Sequence, residues 1–472
     1  MLSGYITFLS DAEIDRIHGL SMRLLEEVGV EIPVEAARQV FARHGAKVAG
    51  SRVYLPRRLV EASIQQAPAQ FTLHARNPQK SVVVGGRNHV FAPGYGAPFI
   101  MDYEAGARRA TLQDYDNLAR LADALPNQDL CGHLMVEPND VPAKTAHLHM
   151  LRSSIKHSDK PFIGSTHGVA GASASIDMAG IVFGERQALK ERPVMVSLIN
   201  TLSPLAFAAE MIEALMYFAE WRQPLVIAAM AQAGATAPIT MAGLLVQQNA
   251  EILAGVTLTQ LISPGAPVIY GSTSTAMDMT TAAAPIGSPE YPIFLACHAQ
   301  LARFYGLPSR AGGCLTDAQL PDAQAGLESM MTMLSAINAG IHFVLHACGI
   351  LGSYLTFSYE KMVIDDEICG MVRRYERGLT VSDDDLAYDV IAGVGPGGNY
   401  LMHEHTLSHF RAAFFRPALA NRDALPSWEQ KGSLDMARRA NLRWKKLLAE
   451  HQPPALDAVT LRQLDQYVES HL

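Results

Sequence analysis

The stretch VMVSLINTLSPLAFAAEMIEALMYFAEWRQPLVIAAMA, residues 194–231, contains the unit from which the fold can be predicted. It begins and ends with short apolar runs rich in β-branched residues, which predict strands over 194–199 and 224–231. Between them, apolar residues at helical spacing predict a helix over 206–221. A strand, a helix and a second strand in this order are typical of a parallel sheet.

The same unit repeats on both sides of this stretch. The predicted strands are 88–93, 130–136, 161–166, 194–199, 224–231, 267–271, 308–313 and 341–347, and the predicted helices between them include 112–124, 206–221, 288–305 and 321–339. Eight strand–helix units over roughly 270 residues favour an α/β fold of the TIM type, a closed (β/α)8 barrel of eight parallel strands. A doubly wound open sheet is the alternative, because periodicity alone does not establish closure. No Gly-x-Gly-x-x-Gly motif opens a helix after the first strand, which weakens the dinucleotide-binding version of that sheet.

The chain therefore divides into three regions. We predict an N-terminal mixed extension packed on the barrel over residues 1–87, the barrel itself over 88–379, and a C-terminal helical tail over 380–472. The extension opens with a helix: Ser10 and Asp11 are suitable cap residues, and apolar residues follow at helical spacing.

Composition excludes several classes of function. Of 472 residues, 49% are hydrophobic and 18% charged, as in an ordinary globular protein, and the formal net charge of −8 gives no basis for nucleic-acid binding. The five cysteines are widely spaced without a Cys-x-x-Cys pair, which favours reduced thiols in a cytoplasmic protein. Neither a signal peptide nor an apolar run of about 18 residues is apparent, so we expect no membrane span.

Active sites of such barrels lie at the carboxyl ends of the strands. The residues that the sequence places there include Tyr95, Asn200 and His346, with Gly312, Gly313, Cys314 and Asp317 in the loop after the seventh strand. Three of them have a structural alternative: Tyr95 could pack, Asp317, like Asp322 after it, could cap a helix, and His346, like His342 before it, could be a hydrogen-bonded core histidine. A nucleophilic Cys314 would need a base beside it, which the sequence does not reveal.

One further cluster has the spacing of metal ligands. His403, Glu404, His405 and His409 lie close together in the tail, but no matching cysteine or carboxylate set accompanies them. We predict no bound metal.

Several segments together resemble the trimethylamine methyltransferase family. The resemblance is carried by Leu9-Ser10 to Gly29-Val30, the glycine-tyrosine turn at 94–96, Gly271 to Pro289-Glu290, Gly306 to Gly326, and Leu401 to Phe410, in matching order and spacing. It implies an eight-stranded α/β barrel that moves a methyl group from an amine to the cobalt of a separate corrinoid protein.

The founding enzymes of the family carry pyrrolysine near the seventh-strand loop. This chain has ordinary residues there, Gly312, Gly313 and Cys314, so it resembles the branch without pyrrolysine, whose substrates are quaternary amines. Glycine betaine is the substrate that we expect, with proline betaine or carnitine as alternatives. A quaternary ammonium needs no protonation of its leaving group, which suits a rim without a paired acid and base.

The resemblance also suggests roles for individual residues. Aromatic faces bind a quaternary ammonium, and the candidates are Tyr95, Phe343, Tyr354 and Phe357. For a betaine carboxylate the candidates are Arg310, His346 and Asn200, of which His346 is preferred.

The corrinoid is expected on a partner protein that docks at the barrel rim, because the chain lacks the cobalamin-binding motif Asp-x-His-x-x-Gly. We also expect a homo-oligomer. Two other functions remain open: a barrel lyase or aldolase, although no predicted strand end carries a lysine, and a betaine-binding protein without catalysis.

Overall fold

The computed structural model describes residues 4–472. Its N-terminal part contains the elements α1 Asp11–Arg23, β1 Val30–Glu31, α2 Glu35–Arg43, β2 Lys47–Ala49, β3 Arg52–Tyr54, α3 Arg57–Ile64, β4 Gln70–Leu73 and β5 Val82–Gly85. Helix α1 begins as expected, because Ser10 forms a capping box with Glu13. Ile14 and Ile17 are buried, whereas Val28 is 43% exposed, since a π-helical turn over Leu24–Val28 rotates the last residues away from the packed face.

The central part alternates strands and helices. Its elements are β6 Val90–Phe91, β7 Phe99–Asp102, β8 Gly106–Arg109, α4 Leu112–Ala124, α5 Ala143–His157, β9 Phe162–Ile163, α6 Gly168–Phe183, β10 Met195–Asn200, α7 Ala209–Glu220, β11 Leu225–Ala229, β12 Gln232–Ala233, α8 Met241–Ile262, β13 Val268–Ser272, β14 Thr275–Ala276, α9 Glu290–Phe304, β15 Ser309–Gly312, α10 Ala323–Ala339, β16 Phe343–Leu345, β17 Ile350–Leu351, β18 Thr356–Phe357 and α11 Tyr359–Arg377.

Seven of these strands form one parallel sheet in the order β6-β16-β15-β13-β11-β10-β9. Apolar side chains from these strands meet on one face in a compact cluster that includes Val90, Val196, Val226, Ile269 and Phe343. Helices cover the other face, as in α/β folds with a parallel sheet. The sequence therefore predicted seven of the eight strand positions.

The predicted strand over 130–136 was wrong in extent. This segment makes only isolated bridges, such as the one from Cys131 to Phe162. The carbonyl of Gly132 accepts hydrogen bonds from Tyr115 and Ser154 instead of from a neighbouring strand, and Leu134 has a φ of 52°. A residue in the left-handed region cannot continue a strand, so the extended backbone ends there.

Backbone hydrogen bonds nevertheless connect this segment to both edges of the sheet. The N–H of Asp129 donates to the carbonyl of Phe91 in β6 at 2.8 Å. The N–H of Cys131 donates to the carbonyl of Pro161, just before β9, at 2.9 Å. The segment thus lies between the first and last strands of the sheet.

The C-terminal part contains α12 Asp383–Leu386, α13 Tyr388–Val394, α14 Glu404–His409, α15 Leu425–Gln430, α16 Met436–Glu450 and α17 Ala458–Ser470. The long helix α16 packs on α11, where Asn441 and Trp444 donate to the buried carboxylate of Glu360. Within residues 4–472, no helix is both long enough and apolar enough to cross a membrane.

Candidate active site

The strand register places a layer of residues across the middle of the sheet. Phe343 pairs with Arg310, Arg310 with Gly271, Gly271 with Ala228, and Ala228 with Asn200. Side chains at paired positions of a parallel sheet point to the same face. Because Phe343 and Ala228 belong to the inner apolar cluster, Arg310 and Asn200 also face the interior.

Arg310 is a buried guanidinium without an anionic partner. It is 2% exposed, its Nη1 donates to the carbonyl of Ser272 at 3.3 Å, and its Nε has no hydrogen-bond partner. No carboxylate forms an ion pair with it anywhere in residues 4–472. Burial lowers its pKa, and the phenol groups of Tyr291, Tyr354 and Tyr95 lie near enough to act against that shift. An arginine stays charged even so, and an unpaired buried charge costs several kcal/mol. An anion is the partner that this guanidinium lacks among the described residues.

His346 and Tyr354 lie beside this guanidinium. Their ring centroids are 4.8 Å apart, and both residues have positive φ angles, 58° and 77°. Left-handed backbone in bulky residues is costly and concentrates at functional sites. The hydroxyl of Tyr354 is buried without a hydrogen-bond partner, and burial raises its pKa well above the usual range. This hydroxyl is an available donor next to Arg310.

The protonation state of His346 follows from its surroundings. Its Nδ1 accepts the backbone N–H of Tyr95 at 3.2 Å. Burial, together with the charge of Arg310, lowers the pKa of His346 well below its usual value. The imidazole is therefore neutral, with its proton on Nε2, and offers a further hydrogen-bond donor.

Tyr95 closes the same site from the exit of β6. Its hydroxyl is hydrogen-bonded to Thr166, and burial raises its pKa to about 12, so that it stays a neutral phenol. Tyr95, Arg310, His346 and Tyr354 thus combine aromatic faces, neutral donors and one cation. Asn200 lies at the open carboxyl end of β10 and is exposed.

The two predicted aromatic residues outside this group have different positions. Phe343 is 1% exposed and belongs to the inner apolar cluster, in register with Arg310. Phe357 is completely buried and fills the space in front of Gly94 and Gly349, where an added Cβ would lie 2.8 Å and 2.2 Å from its ring atoms. Phe357 therefore packs against two loop glycines, Gly94 and Gly349.

Gly312 and Gly313 permit close packing at the end of β15. An added Cβ on Gly312 would lie 2.8 Å from the hydroxyl oxygen of Tyr291 and 2.5 Å from Leu315, and one on Gly313 would lie 2.7 Å from Val344. The N–H of Gly312 donates to the Tyr291 hydroxyl at 2.8 Å. Tyr291, on the first turn of α9, was not among the predicted site residues; it lies one residue beyond Gly271 to Glu290, a segment that carries the family resemblance.

Cys314 is not an activated nucleophile. It is fully buried, hydrogen-bonded with Cys369, and close to the buried ion pair of Lys361 and Asp365. Burial raises the pKa of the Cys314 thiol well above its usual range, so the thiol stays protonated.

Asp317 connects two loops through hydrogen bonds. Its carboxylate accepts the N–H groups of Ile286 and Gly287 at 3.0 and 2.9 Å and the hydroxyl of Ser353 at 2.7 Å. The helix-cap alternative holds for Asp322 instead, which caps α10. Because Ser353 immediately precedes Tyr354, Asp317 fixes the loop that carries Tyr354.

His342 lies away from this site. Its ring nitrogens contact the N–H of Ser309 and the carbonyl of Gly86, so it is a satisfied core histidine near the beginning of its strand.

The chain is similar to several known proteins. Residues 3–471 match the family model described as trimethylamine methyltransferase (MTTB). A glycine betaine methyltransferase of Desulfitobacterium hafniense strain Y51 is 50% identical over 449 residues, which are 95% of this chain and 94% of that protein. The proline betaine:corrinoid methyltransferase of Eubacterium limosum is 32% identical, with 98% of this chain and 97% of that protein covered. The crystal structure of the Methanosarcina barkeri monomethylamine methyltransferase is similar with a TM-score of 0.52 at 11% identity, over 96% of both chains, which indicates a shared fold.

Proposed function

The chain belongs to the trimethylamine methyltransferase family, and on that basis we propose that it transfers a methyl group from glycine betaine to the cobalt of a separate corrinoid protein. Dimethylglycine is the second product. The 50% identity to a glycine betaine methyltransferase supports this substrate over the 32% identity to a proline betaine enzyme.

The observation that carries the proposal is the unpaired guanidinium of Arg310. Glycine betaine has a carboxylate that can pair with it, whereas trimethylamine has none. The unpartnered hydroxyl of Tyr354 and the Nε2 proton of His346 supply two further donors for carboxylate oxygens. Charge-assisted bonds of this kind contribute about 1.5–3 kcal/mol each.

The other end of the substrate is a quaternary ammonium. The faces of Tyr95 and Tyr354 suit it, with about 0.5–2 kcal/mol per good contact. Cobalt(I) on the partner supplies the electron pair for the new bond to the methyl carbon, while the pair of the broken N–C bond stays on nitrogen. No proton moves, so the chain has only to desolvate the cation, orient one methyl group and hold the carboxylate.

A spectroscopic assay tests this function. The chain is incubated with free cob(I)alamin and, separately, with glycine betaine, proline betaine, carnitine or trimethylamine. We expect loss of the cobalt(I) absorption with glycine betaine and none with trimethylamine. If no amine methylates cobalt, even with the cognate corrinoid protein present, while glycine betaine still binds in calorimetry, the chain is a betaine-binding protein.

Two structural proposals accompany the function. The segment 129–131 is the eighth position of a closed barrel, because its backbone bonds to residues at both edges of the seven-stranded sheet. The five cysteines are all free and buried, which supports a reducing compartment such as the cytoplasm.

We further propose that the chain self-associates through the segment 379–414. This segment exposes many large apolar side chains, each more than half exposed: Leu379, Val381, Leu386, Tyr388, Ile391, Leu401, Met402, Leu407 and Phe414. Monomeric proteins seldom expose apolar patches larger than about 300–600 Å². Another protein surface is therefore expected to cover this one.

A second copy of the chain is the occupant that we favour. The segment begins after α11, whose Glu376 contacts His89, immediately before β6. It therefore leaves the sheet at the end where the strands begin, opposite the end that a corrinoid partner must approach. Light scattering of the purified chain should give a multiple of the 51.1 kDa chain mass. Tyr388→Asp with Phe414→Asp should reduce that mass, whereas the exposed control Val459→Asp should not; a monomeric wild type would refute the proposal.

A further inference from the structure

In the C-terminal tail, the fold places the carboxylate of Asp384 beside His405 and His409, for which the sequence had indicated no carboxylate partner. His405 and His409 lie one turn apart on α14, with ring centroids 4.4 Å apart. Asp384, on α12, places its Oδ2 3.3 Å from Nε2 of His409. One potential ligand atom from each of the three residues lies within 4.8 Å of the others.

The orientation of His409 is that of a metal ligand. Its Nδ1 lies 2.9 Å from the backbone carbonyl of His405. A carbonyl only accepts, so Nδ1 carries a proton, and Nε2 faces the carboxylate of Asp384. A metal ion bound between the two would replace the proton that Nε2 and the carboxylate share. Metal-bound histidines typically donate their other N–H to a carbonyl or carboxylate in this way.

Asp384 is the one acid of its turn that is directed at the histidines. Its neighbour Asp385 is occupied in a capping box with Ser382. In the described chain, the side chain of Asp384 contacts only His409. A helical pair of histidines four residues apart with a third, carboxylate ligand is a donor set that Zn²⁺ uses, with water in the fourth position.

We propose that Asp384, His405 and His409 bind one Zn²⁺ ion. Zinc–ligand distances of about 2.0–2.1 Å separate tetrahedral ligand atoms by about 3.4 Å. The 3.3 Å between Asp384 and His409 already matches this separation. The ring nitrogen of His405 lies no more than 4.8 Å from the other two ligand atoms, and zinc binding would draw it closer.

A bound ion would connect α12 to α14. These short helices lie in the segment 379–414, whose exposed apolar residues are described above. Zinc would therefore fix the shape of this segment. The site is independent of the methyl-transfer chemistry, and its test does not use activity.

The test measures metal binding to the untagged, chelator-treated full chain. Competition with a chromophoric zinc chelator should give one Zn²⁺ per chain with micromolar or tighter affinity. His405→Ala, His409→Ala and Asp384→Asn should each weaken binding at least tenfold. With Co²⁺ in place of zinc, the wild type should show the visible absorption of a tetrahedral site, and His409→Ala should lose it.

His44→Ala is the matched control. His44 is exposed, and its Nδ1 contacts the carbonyl of Val40 at 2.8 Å across one helical turn, as in His409, but no carboxylate of residues 4–472 pairs with it. Its loss should leave zinc binding unchanged. Binding that is absent at tens of micromolar zinc, or that the three substitutions reduce no more than His44→Ala does, would overturn the proposal and leave an ordinary His409–Asp384 ion pair.

Discussion

The Nδ1 atom of His346 accepts the backbone N–H of Tyr95 at 3.2 Å, although 251 positions separate the two residues. This bond joins the exits of β6 and β16, which are neighbours in the sheet. It also fixes the imidazole as a donor through Nε2, because the pKa of His346 is held well below its usual value by burial and by Arg310. The site thus has a neutral donor beside a cation.

Removal of the imidazole should impair methyl transfer more than folding. His346→Ala loses the Nε2 donor, and we expect kcat/KM for glycine betaine to fall about ten- to hundredfold, as for the loss of one bond to a charged group. His346→Asn is the control, since asparagine tolerates the left-handed backbone at φ 58° and retains an N–H donor. Unchanged turnover in His346→Ala would exclude the residue from the site.

Replacement of Arg310 should separate substrate affinity from stability. Arg310→Met removes the partner of the carboxylate, so we expect the Kd for glycine betaine to rise by about ten- to several-hundredfold. Folding should be unaffected or improved, because replacing a buried charge by an apolar side chain is often neutral or stabilising. Calorimetric titration and thermal unfolding measure the two effects. Equal affinity in variant and wild type would mean that the carboxylate binds elsewhere.

Much of the fold was predictable because the inner strands obey one simple pattern. Runs such as 224–231 are apolar on both faces, as buried parallel strands require, and helix 112–124 was found at the predicted bounds. The second strand was predicted too long, since the carbonyl of Gly132 accepts from the side chains of Tyr115 and Ser154 and no periodicity encodes such contacts. The domain bounds at 87 and 379 remain predictions.

The site was predictable only as a set of strand ends. Tyr95 and His346 were placed correctly at their strand exits, but their hydrogen bond depends on sheet order. Tyr354, a candidate by its position after the eighth strand, lies beside His346, whereas Phe357, three residues later, packs in the core. The contact between Asp384 and His409 was not predicted, because it depends on the fold of the tail, which lacks a regular apolar pattern.

A methyl group on Gly312 should disturb the loop after β15. The added Cβ would lie 2.5 Å from Leu315 and 2.8 Å from the Tyr291 hydroxyl, so we expect Gly312→Ala to cost about 1–3 kcal/mol of stability. Gly326→Ala is the matched control: it lies inside α10 with no atom within 4 Å of the new Cβ, and should stabilise the chain by about 0.5–1 kcal/mol. Chemical unfolding distinguishes the two variants, and equal stabilities would contradict this packing argument.

Acid should destabilise the folded chain through its buried histidines. Burial lowers the pKa of His133 and His298 to about 3 and that of His342 to about 4. In the unfolded chain these imidazoles titrate near 6.5, so below that pH the unfolded state binds more protons. The stability that depends on the neutral rings is therefore fully present above pH 6.5 and is lost as the pH falls towards 4 and 3. At pH 5 the loss is about 2 kcal/mol for each histidine. Urea unfolding at pH 7.5 and pH 5 measures the difference, and His298→Gln, which cannot titrate, should lose less stability between the two pH values than the wild type does. An identical loss in both proteins would show that His298 takes up no extra proton on unfolding.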